Sequence, residues 1–262
     1  MDNGKIFCYS GTGNSYAAAK QLSNSFDNMP IVHITKELTQ KAETVECDTC
    51  FIIYPSYAYG LPIEVRKWLK KTSFKVKYLA LIVTYGTSPR GTNAEAIRLL
   101  KKKGQQVNYS AKAQSVENYV HLFGHASEED RVKNTAAQAT DMTALVEKFK
   151  NSETNKEKMF TPFSRYVSCL FRVVRNTFAA RYKLTKECNN CEICRRVCPT
   201  NAIEMREKKG KLRPYFKTLE CDHCQACMQL CPHNAIVYMK IKPNSPRYKH
   251  KDVTLTELIK RE

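Results

Sequence analysis

Eight of the twelve cysteines lie between Cys188 and Cys231, and they spell one pattern twice. Cys188, Cys191, Cys194 and Cys198-Pro199 read C-x2-C-x2-C-x3-C-P, and Cys221, Cys224, Cys227 and Cys231-Pro232 read the same again. Three thiolates at i, i+3 and i+6 wrap one corner of a [4Fe–4S] cubane, while the fourth, followed by proline, turns toward the neighbouring cluster. The repeat is therefore reciprocal. One cluster would take Cys188, Cys191, Cys194 and Cys231; the other would take Cys221, Cys224, Cys227 and Cys198. Zinc also uses C-x2-C pairs, but a four-ligand zinc site leaves the C-x2-C-x2-C triple without a purpose. His223, inside the second set, reads first as one of six scattered histidines, with tuning of that cluster by hydrogen bonding as the lesser reading.

A second stretch with chemical potential is IFCYSGTGNSYAAAKQL near the start of the chain. An apolar strand ends at Ser10, Gly11 and Gly13 permit a tight turn, and Ser15 opens a helix. Such a loop offers backbone N–H groups and the hydroxyls of Ser10, Thr12 and Ser15, together with Asn14, to a phosphate at a helix N-terminus. The Gly-Lys-Ser/Thr ending of a nucleotide P-loop is absent, and no G-x-G-x-x-G with a following acid appears, so a dedicated NAD(P)H site is not expected. Two further loops follow later strands. YPSYAYGLP offers Pro55, Tyr57, Tyr59 and Gly60, and TYGTSPRG offers Thr84, Tyr85, Gly86 and Gly91. The tyrosines can flank a planar ring and the glycines let backbone approach closely.

These residues need a scaffold, and the first ~150 residues provide an alternating one. Strands are expected at 5–10, 31–35, 50–55, 78–85 and 106–116, where β-branched and aromatic residues cluster. Helices are expected at 15–26, 62–71, 91–103 and 127–150. The last is the best marked: Ser127 stands as N-cap, acids fill its first turn, and Val132, Ala136, Ala139, Met142, Val146 and Phe149 recur on one face. This alternation predicts an α/β fold, an open doubly wound parallel sheet with helices on both sides. Residues 151–187 read as a polar linker and then an amphipathic helix. Phe163, Val167, Leu170, Val174 and Phe178 line one face of that helix, and Arg165, Arg172 and Arg175 lie largely opposite. An amphipathic helix docking the two domains is the expectation, with a membrane-surface helix as the lesser reading.

The region from Cys188 to Met239 resembles the bacterial two-cluster ferredoxins, with Asn201-Ala202-Ile203 and Asn234-Ala235-Ile236 extending the match. The basic stretch REKKGKLRP between its halves departs from that pattern and reads as a solvated hairpin. The N-terminal loop resembles the phosphate loop of the flavodoxins, which holds FMN without a lysine. The whole is similar to the fused flavodoxin–ferredoxin proteins of anaerobic bacteria and archaea, and PRYKHKDVTLTEL resembles their tail. That resemblance implies a flavodoxin-like FMN-binding domain at 1–150, a linker at 151–187, an α+β ferredoxin-like domain with two [4Fe–4S] clusters at 188–240, and a basic tail at 241–262.

The formal charge is +18 at pH 7, and two oxidised clusters with a flavin phosphate would leave roughly +12. The partners expected are external redox proteins with acidic docking surfaces; nucleic acid and a membrane surface are lesser candidates. Met1-Asp2-Asn3-Gly4 resembles no secretory signal and no apolar run nears the ~20 residues of a membrane span, so the compartment expected is the cytosol. Cys8 and Cys169 read as packing residues, Cys47 and Cys50 as an isolated CxxC, Trp68 as core, and Lys101 to Lys103 as a helix C-terminus. The leading functional reading is an electron-transfer protein working among two clusters, FMN and external partners. The alternative is a reductase whose clusters feed a substrate reduced at the flavin; a redox sensor or nucleic-acid-associated protein is suggested by charge alone. No catalytic acid or base stands out near the flavin loops.

Overall fold

The computed structural model describes residues 3–41, 43–157, 162–208 and 210–259. Lys158 of the polar linker, Lys209 of the basic stretch and 260–262 of the tail lie outside them.

Five strands, β1 (Gly4–Cys8), β2 (Ile31–His33), β3 (Val45–Pro55), β4 (Phe74–Tyr85) and β5 (Tyr109–Gln114), form one all-parallel sheet in the order β2-β1-β3-β4-β5. This is the flavodoxin-like order, in which ligands bind outside the carboxyl ends of the strands, at the switch between the first and third. Strands buried on both faces read as continuous apolar runs. In β3, Phe51 and Ile53 face a core with Ile6, Leu22, Ile82, Met142 and Phe149. The alternate residues Ile52 and Tyr54 face a second core with Phe7, Trp68, Leu69, Leu81 and Leu100. Side-chain alternation along a strand thus supplies both layers.

The helices follow in chain order. On the first side stand α1 (Asn14–Ser25) and α6 (Glu128–Lys150); on the second, α3 (Ile63–Lys71) and α4 (Thr92–Lys101). Two short helices were not foreseen, α2 (Lys36–Lys41) and α5 (Val120–Phe123), because a turn or two of mixed polar sequence shows no apolar period. The Ser127 side chain caps α6 by accepting from the Asp130 N–H at 3.0 Å. Only the second half of the α6 stripe is core: Met142, Leu145, Val146 and Phe149 are buried, whereas Val132, Ala136 and Ala139 are exposed. The first turns of this 23-residue helix lie beside the tail, where the Arg131 guanidinium sits 5.8 Å over the Tyr248 ring.

After α7 (Pro162–Ala179) come β6 (Tyr182–Leu184), α8 (Ile193–Arg196), β7 (Ile203–Lys208), β8 (Lys211–Phe216), α9 (Ala226–Gln229), β9 (Ile236–Tyr238) and α10 (Leu255–Leu258). β6 pairs with β9 and β7 with β8, both antiparallel, so the basic stretch forms the expected hairpin. The sequence repeat is also a backbone repeat. Asn190, Glu192 and Asn201 have positive φ, and so do His223, Gln225 and Asn234, the corresponding positions of the second copy. Asparagine tolerates this conformation, whereas Glu192, His223 and Gln225 adopt it only where surrounding structure imposes it.

The two parts are packed together. The tail lies on the first strand-to-helix loop: the His250 N–H donates to the Thr12 carbonyl at 3.0 Å and the Tyr248 hydroxyl to Asn14 Oδ1 at 2.6 Å. α10 is held by a capping box between Thr254 and Glu257 and by the Lys20–Glu257 ion pair at 2.8 Å. No helix among the described residues is long and apolar enough to cross a membrane.

Candidate redox site

Each crossed cysteine set surrounds its own void. Cys188, Cys191, Cys194 and Cys231 line one, and Cys198, Cys221, Cys224 and Cys227 line the other. Among the described residues, no three His, Cys, Asp or Glu converge closely enough for a single metal ion. The fourth cysteine of each set also accepts from a backbone N–H four residues on, Ala202 to Cys198 Sγ and Ala235 to Cys231 Sγ, both at 3.3 Å. Hydrogen bonds to sulfur are one of the means by which a protein sets a cluster's potential. Burial pushes the Cys194 thiol up to about 12, and burial raises Cys221 and Cys227 as well. Metal-free, these thiols therefore stay protonated, and only ligation to metal would draw the protons off. Two small voids, each lined by four cysteine sulfurs and each with a backbone N–H donor to one sulfur, fit iron–sulfur clusters.

The first loop sits at the switch between β1 and β3. Gly13 is the N-cap of α1 at φ 108°, with no side-chain capping bond, so the first-turn N–H groups open onto the loop. The loop is pre-tied. The Gly13 N–H donates to Ser10 Oγ at 3.2 Å, Asn14 Nδ2 donates to the Val116 carbonyl at 2.8 Å, Ser15 Oγ pairs with Thr84 Oγ1 at 2.7 Å, and Asn118 Nδ2 donates to Thr12 Oγ1.

Beside it opens a cavity of about 510 Å³, within the ~300–1,000 Å³ range of cofactor sites. Ser10, Gly11, Thr12, Asn14 and Ser15 line it from the first loop. Pro55, Tyr57 and Tyr59 line it from the second, and Thr84, Tyr85 and Gly86 from the third. Gly13, Gly60 and Gly91 do not: Gly13 and Gly91 are the N-caps of α1 and α4. Gly60 closes a tight turn with Tyr57, its N–H donating to the Tyr57 carbonyl at 3.0 Å. Ala58 and Tyr59 at the tip of that turn have φ of 47° and 62°, a left-handed pair held in place by the Arg90 guanidinium 5.1 Å over the Tyr59 ring.

Sequence reasoning missed a fourth loop, Ser115 to Tyr119, and the contributions of α7, His121, His223, Tyr238 and Met239 to the walls. The loop follows β5 at the same edge as the others, and that position was its one available signal. The α7 and His223 contributions depend on how the two parts pack, which no local pattern encodes.

The linker helix α7 meets both parts, and it does so through its polar face. Ser164 and Ser168 are buried, and Arg172 reaches the buried Glu95 at 3.1 Å, a carboxylate also bound by Arg66 at 2.9 Å and by the Leu61 N–H at 3.1 Å. Arg175 donates to the Leu219 and Cys221 carbonyls at 2.9 and 3.1 Å. The polar face docks because a buried carboxylate and unpaired carbonyls await it. Of the predicted stripe, Val167 and Phe178 join Phe171 in walling the cavity, whereas Phe163 and Leu170 are exposed.

The second cysteine set abuts the first loop. A Cβ on Gly11 would stand 2.7 Å from the Cys224 carbonyl, so only glycine permits this approach. His223 lines the cavity and its Nδ1 lies 2.8 Å from the Tyr119 hydroxyl; its backbone N–H donates to Cys221 Sγ at 3.4 Å. The imidazole therefore faces the cavity, and the peptide faces the cluster void. Burial drives His223 down to about 3 and His121 to about 4, leaving both rings neutral. Elsewhere, Cys169 is exposed rather than packed, Trp68 is core, and Cys47 and Cys50 are buried on β3.

Residues 187–235 match the family described as the 4Fe-4S dicluster domain. The chain joins a flavodoxin-like fold to a region that matches a 4Fe-4S dicluster domain. Among solved structures, a flavodoxin from Streptococcus pneumonia TIGR4 is 16% identical, covering 54% of this chain and 98% of its own, with a TM-score of 0.36. An azoreductase from Bacillus anthracis str. Sterne is 10% identical over 56% of this chain and 99% of its own, TM-score 0.38. An NAD(P)H:quinone oxidoreductase from Methanothermobacter marburgensis is 9% identical over 61% of this chain and 100% of its own, TM-score 0.35. No curated protein matches the chain. The strand order, rather than these distant likenesses, fixes the fold of the flavodoxin-like part.

Proposed function

We propose that this fused flavodoxin–ferredoxin chain is an electron-transfer protein that passes electrons among two [4Fe–4S] clusters, an FMN and external redox proteins. The observation that carries the reading is the approach of Cys224 to Gly11, which sets the second cysteine void against the loop and cavity that fit a flavin. The first-turn N–H groups of α1 with Ser10, Thr12 and Ser15 would hold the phosphate, and the loops of Tyr57, Tyr59, Tyr85 and Tyr119 would hold the ring. When bound, FMN supplies two-electron storage that can be emptied one electron at a time, which suits one-electron clusters.

An order of transfer is part of this proposal. The void of Cys198, Cys221, Cys224 and Cys227 lies next to the cavity, and His223 and Tyr119 separate the two without offering a charge. The other void borders the surface, where Cys191 is exposed and Arg213 donates to the Cys188 carbonyl at 2.8 Å. The β7–β8 hairpin beside it carries Arg206, Lys208 and Lys211 outward, a basic surface that suits an acidic partner. On this reading electrons would enter or leave at the outer cluster and pass by way of the inner one to the flavin.

The alternative, a reductase acting on a small substrate at the flavin, draws on the apolar wall that α7 adds to the cavity beyond the loops. Rapid mixing of anaerobic holo-protein with a one-electron reductant separates internal transfer from shuttling between molecules. Cluster bleaching should precede flavin bleaching, and the flavin rate should not change with protein concentration. A flavin rate that scales with concentration would overturn the internal path.

A further inference from the structure

We infer that α7 is a membrane-surface helix whose outward apolar stripe rests on an anionic bilayer beside the mouth of the cavity. At about 100° per residue, α7 has three distinct faces. Ser164, Ser168, Arg172, Arg175 and Ala179 point to the protein, and Val167, Phe171 and Phe178 wall the cavity. The third face holds Phe163, Tyr166, Leu170 and Val173 within an arc of about 80°. Those four are 57, 66, 48 and 75% exposed. Single exposed apolar residues are ordinary; four in register on one helix are not.

The stripe continues across the cavity rim. Leu122 and Phe123 of α5 and Met239 after β9 line the same cavity and are also largely exposed. Cations flank it. Arg90 lies over the Tyr59 and Phe163 rings, Arg181 lies over Phe178 and touches Met239 Sδ at 3.6 Å, and Arg165 stands exposed on the helix itself. None of these three guanidiniums has a carboxylate partner among the described residues, and α7 contains no Asp or Glu. An apolar helix face with aromatic residues and a border of arginines matches the chemistry of the boundary between acyl chains and anionic headgroups. A second copy of the chain is the poorer occupant, because it would bring another +18 and another set of arginines against the first.

This surface does not depend on the redox reading, and it is tested separately. Holo-protein is floated through a density gradient with vesicles of phosphatidylcholine alone or with phosphatidylglycerol added, beside the double variant Leu170→Ser/Val173→Ser. Both substitutions lie on exposed positions, so cluster and flavin absorption should be unchanged, which verifies folding without reference to binding. Wild type should float with the anionic vesicles at least about tenfold more than with the neutral ones, since each surface cation adds to the attraction. The double variant, which keeps every charge, should lose about tenfold of that flotation. Equal flotation of wild type and variant would show general charge attraction and overturn the inference. So would absence of flotation, or a dimer measured by light scattering that the double variant dissolves.

Discussion

The Tyr9 hydroxyl donates to Asp222 Oδ2 at 2.8 Å, joining the end of the first strand to the middle of the second cysteine set. The same carboxylate accepts from the Ile63 N–H at 2.9 Å and the Glu64 N–H at 3.4 Å, the open N-terminus of α3. Burial pushes the Asp222 pKa up and the bonds it accepts pull it back. One side chain in a metal-binding motif thus satisfies a tyrosine and a helix of the other part.

That bond predicts a coupled loss. Tyr9→Phe removes one buried hydrogen bond and should cost about 1 kcal/mol in anaerobic denaturant unfolding of the holo-protein. Asp222→Ala strands the hydroxyl and two N–H groups and should cost about 1–3 kcal/mol or more. In the Asp222→Ala background, Tyr9→Phe should cost little, because its partner has already gone. Additive losses would show that the two residues are not partners.

The scaffold was legible in the sequence because it is periodic. The β3 and β4 runs announce buried parallel strands, and the cysteine spacing groups the same residues that line each void. The strand starts were read late, at Cys50 and Tyr78 instead of Val45 and Phe74, because Glu46, Asp48, Lys75 and Lys77 alternate outward at the exposed beginnings. The face used by α7 was illegible for a different reason. Amphipathicity says that one side is apolar, but Glu95 and the Cys221 carbonyl decide which side is buried, and they lie far away in sequence. The same holds for Asp222, an unremarked x between two cysteines until Tyr9 meets it.

The first loop predicts a selective loss of ligand. Thr12 Oγ1 accepts from Asn118 Nδ2 and leaves its own proton to offer. Thr12→Ala should weaken FMN binding about tenfold while riboflavin, lacking the phosphate, changes much less. Flavin fluorescence quenching during titration of the apo-protein reads both constants. Equal losses would assign the loop another role.

The tail should come loose in acid. His250 is 3% exposed, and burial holds its pKa below the ordinary histidine value. A group depressed in the folded state contributes stability that is present above its unfolded pKa of about 6.5 and is lost as pH falls toward the folded value. Its backbone N–H holds the Thr12 carbonyl and its Nδ1 accepts from the Asp252 N–H at 3.3 Å, a bond lost if Nδ1 is protonated, while Asp252 favours the charged ring and Lys251, Lys249 and Lys20 oppose it. Proteolysis of the tail in pulses at decreasing pH should accelerate below about pH 6.5. His250→Gln, which stays neutral, should flatten that dependence, and a variant that keeps the wild-type profile would assign it to another group.

Crossed ligation makes the sharpest prediction. Cys198 belongs by sequence to the first set, yet it lines the void of Cys221, Cys224 and Cys227. Cys198→Ala should therefore cost the inner cluster, dropping iron from about eight to about four per chain, and leave the outer one on Cys188, Cys191, Cys194 and Cys231. Cys231→Ala should do the reverse. If the inner cluster is the flavin's neighbour, the Cys198 variant should retain bound FMN but reduce it far more slowly after rapid mixing with a one-electron donor. The Cys231 variant should keep the internal step once electrons reach the inner cluster. Mössbauer and iron analysis report which cluster remains, independently of the kinetics. A Cys198 variant that keeps the inner cluster and loses the outer one would reverse the pairing and with it the order of transfer.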